Sequence, residues 1–116
     1  MEIIHEYFTY ILTDFRKNVL YVGVTNNLKQ RIWEHFKQRG ESKTFAGRHS
    51  TFYLVYYETT KYIRNAIARE KEIKDFNRSK KIDLIKSFNP EMKFLNKEFF
   101  GEWPPRYKMD NRFPPG

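Results

Sequence analysis

Five side chains in the sequence are of the types that hydrolyse phosphodiester bonds, namely Tyr10, Tyr21, Arg31, His35 and Glu70. A phenol or an imidazole can take a proton from water, a guanidinium can hold two phosphate oxygens, and a carboxylate can hold a divalent cation. Each residue alone has an ordinary structural explanation, because strands favour tyrosine and an Arg-x-x-x-His pair usually lies on a solvated helix edge. Their occurrence together favours the catalytic interpretation.

The position of Glu70 in its predicted helix departs most clearly from an ordinary pattern. The predicted apolar stripe of that helix consists of Ile63, Ala66, Ile67, Ile73 and Asn77. Glu70 falls inside the stripe, although a carboxylate that faces a domain interior is unfavourable unless it is paired or bound to a metal. Three interpretations remain open: an ion pair with a nearby arginine, a stripe that narrows at the helix end, and a metal ligand.

Three segments of the sequence are predicted to be strands. YFTYILT and VLYVGV are rich in β-branched and aromatic residues, and FYLVYYE alternates in the same way. The stretch DFRKN between the first two supplies turn residues, so these two strands should form a hairpin. We expect Thr13 to close onto Asn18, which sets Tyr10 directly opposite Tyr21 on the same face of the sheet.

The first predicted helix carries Arg31 and His35. It has capping residues at 25–27 and ends at Gly40. Its core-facing stripe consists of Leu28, Ile32 and Phe36. Arg31 and His35 are four residues apart, so they share one side of the helix and can act together.

Two further helices are predicted after the third strand, in KYIRNAIAREKEIKDF and SKKIDLIKSF. Ser79 is the predicted cap of the second of them, which should end before Pro90. The order of elements is therefore β-β-α-β-α-α. The loop at 41–51 is polar, and we expect its His49 to be an ordinary surface residue.

The length of 116 residues suits one domain, predicted at 1–100, with a proline-rich tail at 101–116. The tail should be extended or disordered unless Trp103 and Phe113 dock on the domain. The absence of cysteine excludes disulfides and cysteine-ligated zinc, so any metal must be held by oxygen or histidine, and a hard cation such as Mg²⁺ or Mn²⁺ suits these ligands. No segment resembles a secretory signal or a membrane span, so we expect a soluble cytoplasmic protein.

The net charge of +8 indicates an anionic partner, and nucleic acid is favoured over a membrane surface. Much of this excess lies in residues 61–86, which hold nine Lys or Arg against four acids. A surface that binds phosphates and a solvated helix face both explain this segment.

The motifs around the tyrosines resemble the signatures of the GIY-YIG nuclease superfamily, above all its small single-domain bacterial members. Phe8-Thr9-Tyr10 stands at the first signature and Tyr21-Val22-Gly23 at the second, with ten residues between the two tyrosines. Phe8 and Thr9 depart from the usual glycine and aliphatic residue. The similarity extends over residues 7–96. Within the superfamily, the sequence also resembles the N-terminal nuclease domain of the excision-repair incision subunit.

The resemblance assigns roles to individual residues. Arg31 falls on the family's catalytic arginine, with His35 one turn later, and Glu70 falls on its metal-binding glutamate. Tyr10 would take the proton from the attacking water, Arg31 would favour the phenolate, and Tyr21 or His35 could exchange roles with Tyr10. Residues predicted to hold the substrate are Gly23, Lys74, Arg78, Lys80, Lys81 and Asn89.

The resemblance also implies a fold and an activity. The fold would be α+β, with a small three-stranded antiparallel sheet flanked by helices. The activity would be that of an Mg²⁺- or Mn²⁺-dependent nuclease for single-stranded or structured DNA, with little sequence specificity and a link to DNA repair.

Two other classes of function remain open. One is a nucleic-acid-binding module of the same fold that does not cut, and the other is a partner domain whose aromatic tail docks on another protein. Salt-dependent DNA affinity without cleavage would indicate the first, and no affinity for DNA would indicate the second.

Overall fold

The computed structural model describes residues 5–40 and 50–105, so the predictions for His49 and for the tail from residue 106 onward, including Phe113, lie outside the described residues. The order of elements is β-β-α-β-α-α, as predicted, with one more short helix at the end. The elements are β1 (Tyr7–Thr13), β2 (Leu20–Thr25), α1 (Leu28–Lys37), β3 (Tyr53–Thr60), α2 (Ile63–Asp75), α3 (Arg78–Phe88) and α4 (Lys97–Phe100).

The three strands form one antiparallel sheet in the order β2-β1-β3, which confirms the predicted α+β class. The central strand β1 sends alternate side chains to two separate cores. On one face, Tyr10 and Leu12 pack with residues of α1, including Ile32. On the other face, Ile11 packs with Ile73 of α2 and with residues of α3. The site residues of α1 and α2 therefore reach the sheet from opposite faces.

The hairpin closes two residues later than we expected. Thr13 pairs with Leu20, and Tyr10 therefore lies opposite Gly23 instead of Tyr21. Because the shift is an even number, both tyrosines still share one face, with ring centroids 6.4 Å apart.

The side chain of Asp14 explains this wider turn. Its Oδ1 accepts hydrogen bonds from the backbone N–H groups of Asn18 and Val19, at 2.7 and 2.9 Å. Thr13 Oγ1 also donates to the carbonyl of Val19 at 2.7 Å. These bonds keep Asn18 and Val19 in the loop, so strand pairing can begin only at Leu20.

Two predictions about the helices were wrong in detail. Asn77, and not Ser79, caps α3, because its side chain accepts from the backbone N–H of Lys80 at 2.8 Å. In α2, Ile63 and Ile67 are 42% and 40% exposed, so the buried stripe is narrower than expected.

The chain after α3 is fastened to β3 by a buried asparagine. Asn96 accepts from the N–H of Leu54 at 2.7 Å and donates to the carbonyl of Phe52 at 2.9 Å. Beyond α4, Trp103 packs edge-on against Phe36, with ring centroids 5.1 Å apart. The first part of the predicted tail therefore contacts the core, and a domain boundary at residue 100 stays a prediction. No helix in the described part of the chain is long and apolar enough to cross a membrane.

Candidate active site

The phenol of Tyr10 is the centre of the candidate site. It lies in the middle of β1, is 1% exposed, and covers Gly23 on the neighbouring strand. A Cβ at Gly23 would stand 2.6 Å from Cζ of Tyr10, which is far inside van der Waals contact. Gly23 is itself buried and makes room for the phenol, and its role in binding substrate stays a prediction.

Arg31 approaches this phenol from α1. Its Nε donates to the hydroxyl of Tyr10 at 3.4 Å, and its Nη1 pairs with Glu34 at 3.1 Å. Burial acts to lower the pKa of Arg31, but hydrogen bonds to Tyr10, Glu34 and Tyr21 raise it above its ordinary value. Arg31 is therefore a permanent cation beside the two phenols.

His35 lies one turn further along α1 and is 3% exposed. Its Nε2 is 3.5 Å from the hydroxyl of Tyr10, and its ring is edge-on to both Tyr10 and Tyr21. Burial, assisted by the charge of Arg31, lowers the pKa of His35 to about 4. Its Nδ1 is buried and has no hydrogen-bond partner among the described residues. His35 is thus a neutral imidazole at pH 7 and, in the protein alone, a weak base.

The pKa of Tyr10 contradicts one expectation from the sequence. Burial raises it to about 12, and the charges of Tyr21 and Glu70 act in the same direction. Arg31 lowers this pKa, as expected, but burial outweighs it. In the protein alone, Tyr10 is therefore a neutral phenol at physiological pH.

Glu70 reaches the site from α2. Thr9 donates its hydroxyl to the carbonyl of Ala66 at 3.1 Å, which holds α2 against β1 one turn before Glu70. The side chain of Glu70 is 22% exposed and pairs with Lys74 at 3.5 Å, so its ion-pair partner is a lysine and not an arginine. Its effect on the pKa of Tyr10 indicates that the carboxylate lies within electrostatic reach of the phenol.

The donor set suits only some metals. Within residues 5–40 and 50–105, no group of three His, Cys, Asp or Glu could hold an ion. A metal ion held at Glu70 would therefore have one carboxylate ligand from the described residues and would need water or substrate oxygens for the rest. Magnesium fits such a position, because it keeps several waters and commonly binds one or two carboxylates together with substrate phosphates.

The predicted substrate-binding residues do not all lie at this site. The amide of Asn89 donates to the carbonyls of Val55 and Lys93, at 3.0 and 2.8 Å, and accepts from the N–H of Lys93 at 3.1 Å. Asn89 is buried and these bonds hold the chain after α3, so its role in binding substrate stays a prediction without support from its contacts.

The basic residues predicted to hold the substrate are divided between two places. Lys74 pairs with Glu70 and so lies beside the candidate site. Arg78 donates to the carbonyls of Lys17 and Asn18 in the hairpin loop, at 2.7 and 2.8 Å. Lys80 lies over the ring of Phe76, and Lys81 is partly buried on α3. Their role in binding substrate stays a prediction.

The sequence analysis missed Glu34. It lies three residues after Arg31 on α1, a spacing at which side chains on a helix meet, so the helical pattern could have identified the pair. Both residues line a polar recess of about 350 Å³ at the start of α1, together with Thr25, Asn26 and Gln30. This recess gives a phosphate a route to Arg31.

Comparison with known proteins agrees with this geometry. Residues 6–83 match the family model described as the GIY-YIG catalytic domain. The chain belongs to the GIY-YIG family. The strands β1 and β2 carry the segments that resemble the two GIY-YIG signatures. Tyr10 and Tyr21 lie in these strands, and both lie beside Arg31.

Several relatives of this GIY-YIG chain are named UPF0213 proteins. The UPF0213 protein SH2523 of Staphylococcus haemolyticus is 37% identical over 70 residues, which are 60% of this chain and 83% of the relative. The UPF0213 protein CPE1444 of Clostridium perfringens is 43% identical over 68 residues, 59% of this chain and 71% of the relative. The solution NMR structure of the UPF0213 protein BH0048 from Bacillus halodurans has a TM-score of 0.49 and 26% identity, covering 79% of this chain and 95% of that one.

Proposed function

We propose that this GIY-YIG domain is a metal-dependent nuclease that hydrolyses DNA phosphodiester bonds with little sequence specificity. The observation that carries the proposal is the meeting of Arg31 and His35 on the hydroxyl of Tyr10, at 3.4 and 3.5 Å. A phenol with a fixed cation on one side and a neutral imidazole on the other can exchange its proton. The nearby carboxylate of Glu70 completes the set of groups that phosphodiester hydrolysis requires.

Arg31 has the role of binding the phosphate. Its partner Glu34 is 39% exposed at the side chain, so the ion pair between them is solvent-accessible and weak enough to be exchanged. A phosphate that enters the polar recess can replace Glu34 on the guanidinium and gain two parallel hydrogen bonds. Arg31 would then stabilise the charge that develops on the non-bridging oxygens.

Tyr10 is the proposed acceptor of the proton from the attacking water. With pKa values of about 12 for Tyr10 and about 4 for His35, the proton stays on the phenol in the resting protein. Tyr10 must therefore pass its own proton to Nε2 of His35 as it takes one from water. This transfer requires that bound substrate and a cation lower the pKa of Tyr10 and that the phosphate charge raise the pKa of His35. Tyr21 would orient the water or the phosphate.

Glu70 is the residue that would hold a magnesium or manganese ion, together with water and substrate oxygens. Such an ion would supply positive charge that stabilises the leaving 3′ oxygen and favours the phenolate. Neutralising Glu70 also removes one of the charges that now raise the pKa of Tyr10.

A non-catalytic DNA-binding module is the second candidate, and the burial of Tyr10 favours it. A phenol that is 1% exposed cannot meet water unless the surrounding side chains move. If they do not move, the same surface binds phosphates through Arg31 and its basic neighbours without cutting.

The deciding experiment is cleavage of labelled single-stranded, duplex and forked DNA with Mg²⁺ or Mn²⁺. Wild type is compared with Glu70→Ala and with the matched control Glu72→Ala, which removes a more exposed carboxylate from the same helix. We expect metal-dependent cutting by wild type and the control, and none by Glu70→Ala. A folded wild type that binds these DNAs but cuts none of them would contradict the nuclease proposal and support the binding module.

A further inference from the structure

A surface pocket of about 430 Å³ lies at the start of α2, apart from the candidate active site. It is lined by His5, Tyr7, Lys61, Tyr62, Ile63 and Arg64, with Asn65 at its side. The rings of His5 and Tyr7 are stacked, with centroids 6.2 Å apart and planes 14° from parallel. Tyr62 is 66% exposed although it is a large aromatic residue. The pocket thus combines flat aromatic surfaces with two cations and, among the described residues, no lining carboxylate.

A strip of exposed apolar side chains connects this pocket to Glu70. Ile63, Ile67 and Glu70 recur at intervals of four and three residues, so they lie along one side of α2. The seven residues between Ile63 and Glu70 correspond to about 10 Å along the helix axis. That distance corresponds to at most a few nucleotides of one strand, since successive phosphates are about 3.4 Å apart along a duplex and further apart in an extended single strand.

The chemistry of the pocket selects its occupant. Exposed aromatic rings beside Lys and Arg are the groups that hold a nucleobase by stacking and its phosphates by charge. A base inside a duplex is already stacked on its neighbours, so only an unpaired base can enter. The alternative occupant, an apolar surface of another protein, would supply no negative charge for Lys61 and Arg64.

We propose that this pocket binds an unpaired base of the strand being cut, a few nucleotides from the scissile phosphate. Tyr62 and the His5–Tyr7 stack hold the base, the isoleucines of the strip contact the sugars between, and Lys61 and Arg64 bind the adjoining phosphates. The proposal rests on the proposed function and adds that the substrate has a single-stranded segment beside the cut.

The test measures binding of a single-stranded oligonucleotide and of a duplex of equal length by fluorescence anisotropy, in Glu70→Ala protein with Mg²⁺. Tyr62→Ala is added to this background, and Phe15→Ala is the control because Phe15 is an aromatic residue of similar exposure in the hairpin loop. Tyr62 is the N-cap residue of α2, but its side chain makes no capping hydrogen bond, so the truncation leaves the start of the helix intact. We expect Tyr62→Ala to weaken single-strand binding about tenfold and duplex binding less than about twofold.

Two further variants sharpen this result. Tyr62→Phe keeps the ring and should bind the single strand like the parent protein. Lys61→Ala should lower the magnitude of the slope of log affinity against log salt concentration by about one, which corresponds to the loss of one phosphate contact. A 2-aminopurine placed at successive positions of the oligonucleotide should lose fluorescence at the base that stacks, and Tyr62→Ala should restore it.

The outcomes separate this proposal from the nuclease itself. Unchanged single-strand binding by Tyr62→Ala, while the otherwise wild-type protein still cuts DNA, would overturn the pocket and leave the nuclease standing. Binding that depends on Tyr62 without any cleavage would support the pocket and overturn the nuclease. No binding of either DNA, or a dimer in sedimentation that Tyr62→Ala dissociates, would overturn the pocket.

Discussion

Two clusters in the described part of the chain combine tyrosine, arginine and glutamate, and they differ in how fully their polar groups are paired. Between β3 and α2, Tyr56 donates its hydroxyl to Glu58, and Arg69 donates to both oxygens of Glu58 at 3.1 Å and also to Glu72. At the candidate active site, the hydroxyl of Tyr10 meets Nε2 of His35 at 3.5 Å and no carboxylate oxygen within hydrogen-bond distance among the described residues.

The pKa values alone do not distinguish these clusters. Burial raises the pKa of both Tyr10 and Tyr56 to about 12, and both Arg31 and Arg69 have raised pKa values. Pairing does distinguish them. Arg69 pairs with two carboxylates of its own chain, whereas Arg31 pairs with one carboxylate and two phenols and borders a polar recess. A cluster whose charged groups are all paired within the chain stabilises the fold, and a cluster with an arginine open to a recess can accept a substrate.

Removing the hydroxyl of Tyr10 or of Tyr56 should reveal the largest difference between the two clusters. Tyr10→Phe should lower kcat about a thousandfold, within the usual range for loss of a general base. Tyr56→Phe should leave kcat within about twofold and lower the free energy of unfolding by about 1.5 to 3 kcal/mol, because a charge-assisted hydrogen bond is lost. The measurements are DNA cleavage kinetics and urea unfolding.

Full cleavage by Tyr10→Phe would remove Tyr10 from the base role. In that event, Tyr10→Phe/His35→Gln and Tyr10→Phe/Tyr21→Phe would show which neighbour takes the proton.

The pH dependence of stability should come from the candidate site and not from the paired cluster. The pKa of His35 is about 4 in the folded protein and 6.5 in the unfolded chain. Below pH 6.5 the unfolded chain therefore binds a proton that the folded protein does not, and stability falls as the pH falls toward 4. Between pH 7 and pH 4.5 the loss should be about 2 kcal/mol larger in wild type than in His35→Gln. Urea unfolding at pH 7 and pH 4.5 measures it.

If the free energy of unfolding changed with pH equally in wild type and in His35→Gln, His35 would not be the neutral, buried group described above. Tyr56→Phe provides the comparison, since it should keep the wild-type pH dependence while lowering stability at both pH values.

The basic residues of α3 should have the smallest effect, because they lie away from both clusters. Lys80→Ala/Lys81→Ala should weaken DNA binding by less than about fivefold and lower the salt slope by up to about two, if each lysine neutralises one phosphate. Titrations at several salt concentrations measure this, with Lys97→Ala as a control on another exposed surface. An unchanged salt slope would remove α3 from the DNA-binding surface.

The sequence predicted those parts of the fold that depend on local pattern. The alternation in β1 and the spacing of Leu28, Ile32 and Phe36 were sufficient for the order of elements and for the buried face of α1. The four-residue spacing also predicted that Arg31 and His35 share one side of α1, and both indeed contact Tyr10.

The errors arose where particular side-chain hydrogen bonds and burial overrule the pattern of residue types. The side chain of Asp14 widened the hairpin turn, and no propensity scale contains that hydrogen bond. The pKa of Tyr10 depends on burial under α1, which the sequence could not weigh against the charge of Arg31. The resemblance also gave Asn89 a substrate role, which stays a prediction, although its amide binds the backbone of β3 and of the following segment.

The most direct test of the difference between the clusters replaces each arginine with lysine, which keeps the charge and removes the fork. DNA cleavage and thermal unfolding are measured for Arg31→Lys and Arg69→Lys beside wild type. We predict that Arg31→Lys cuts at least about a hundredfold more slowly with nearly unchanged stability, and that Arg69→Lys cuts normally but unfolds at a lower temperature. Wild-type cleavage by Arg31→Lys, or an equal loss of cleavage in both variants, would contradict the assignment of the candidate active site.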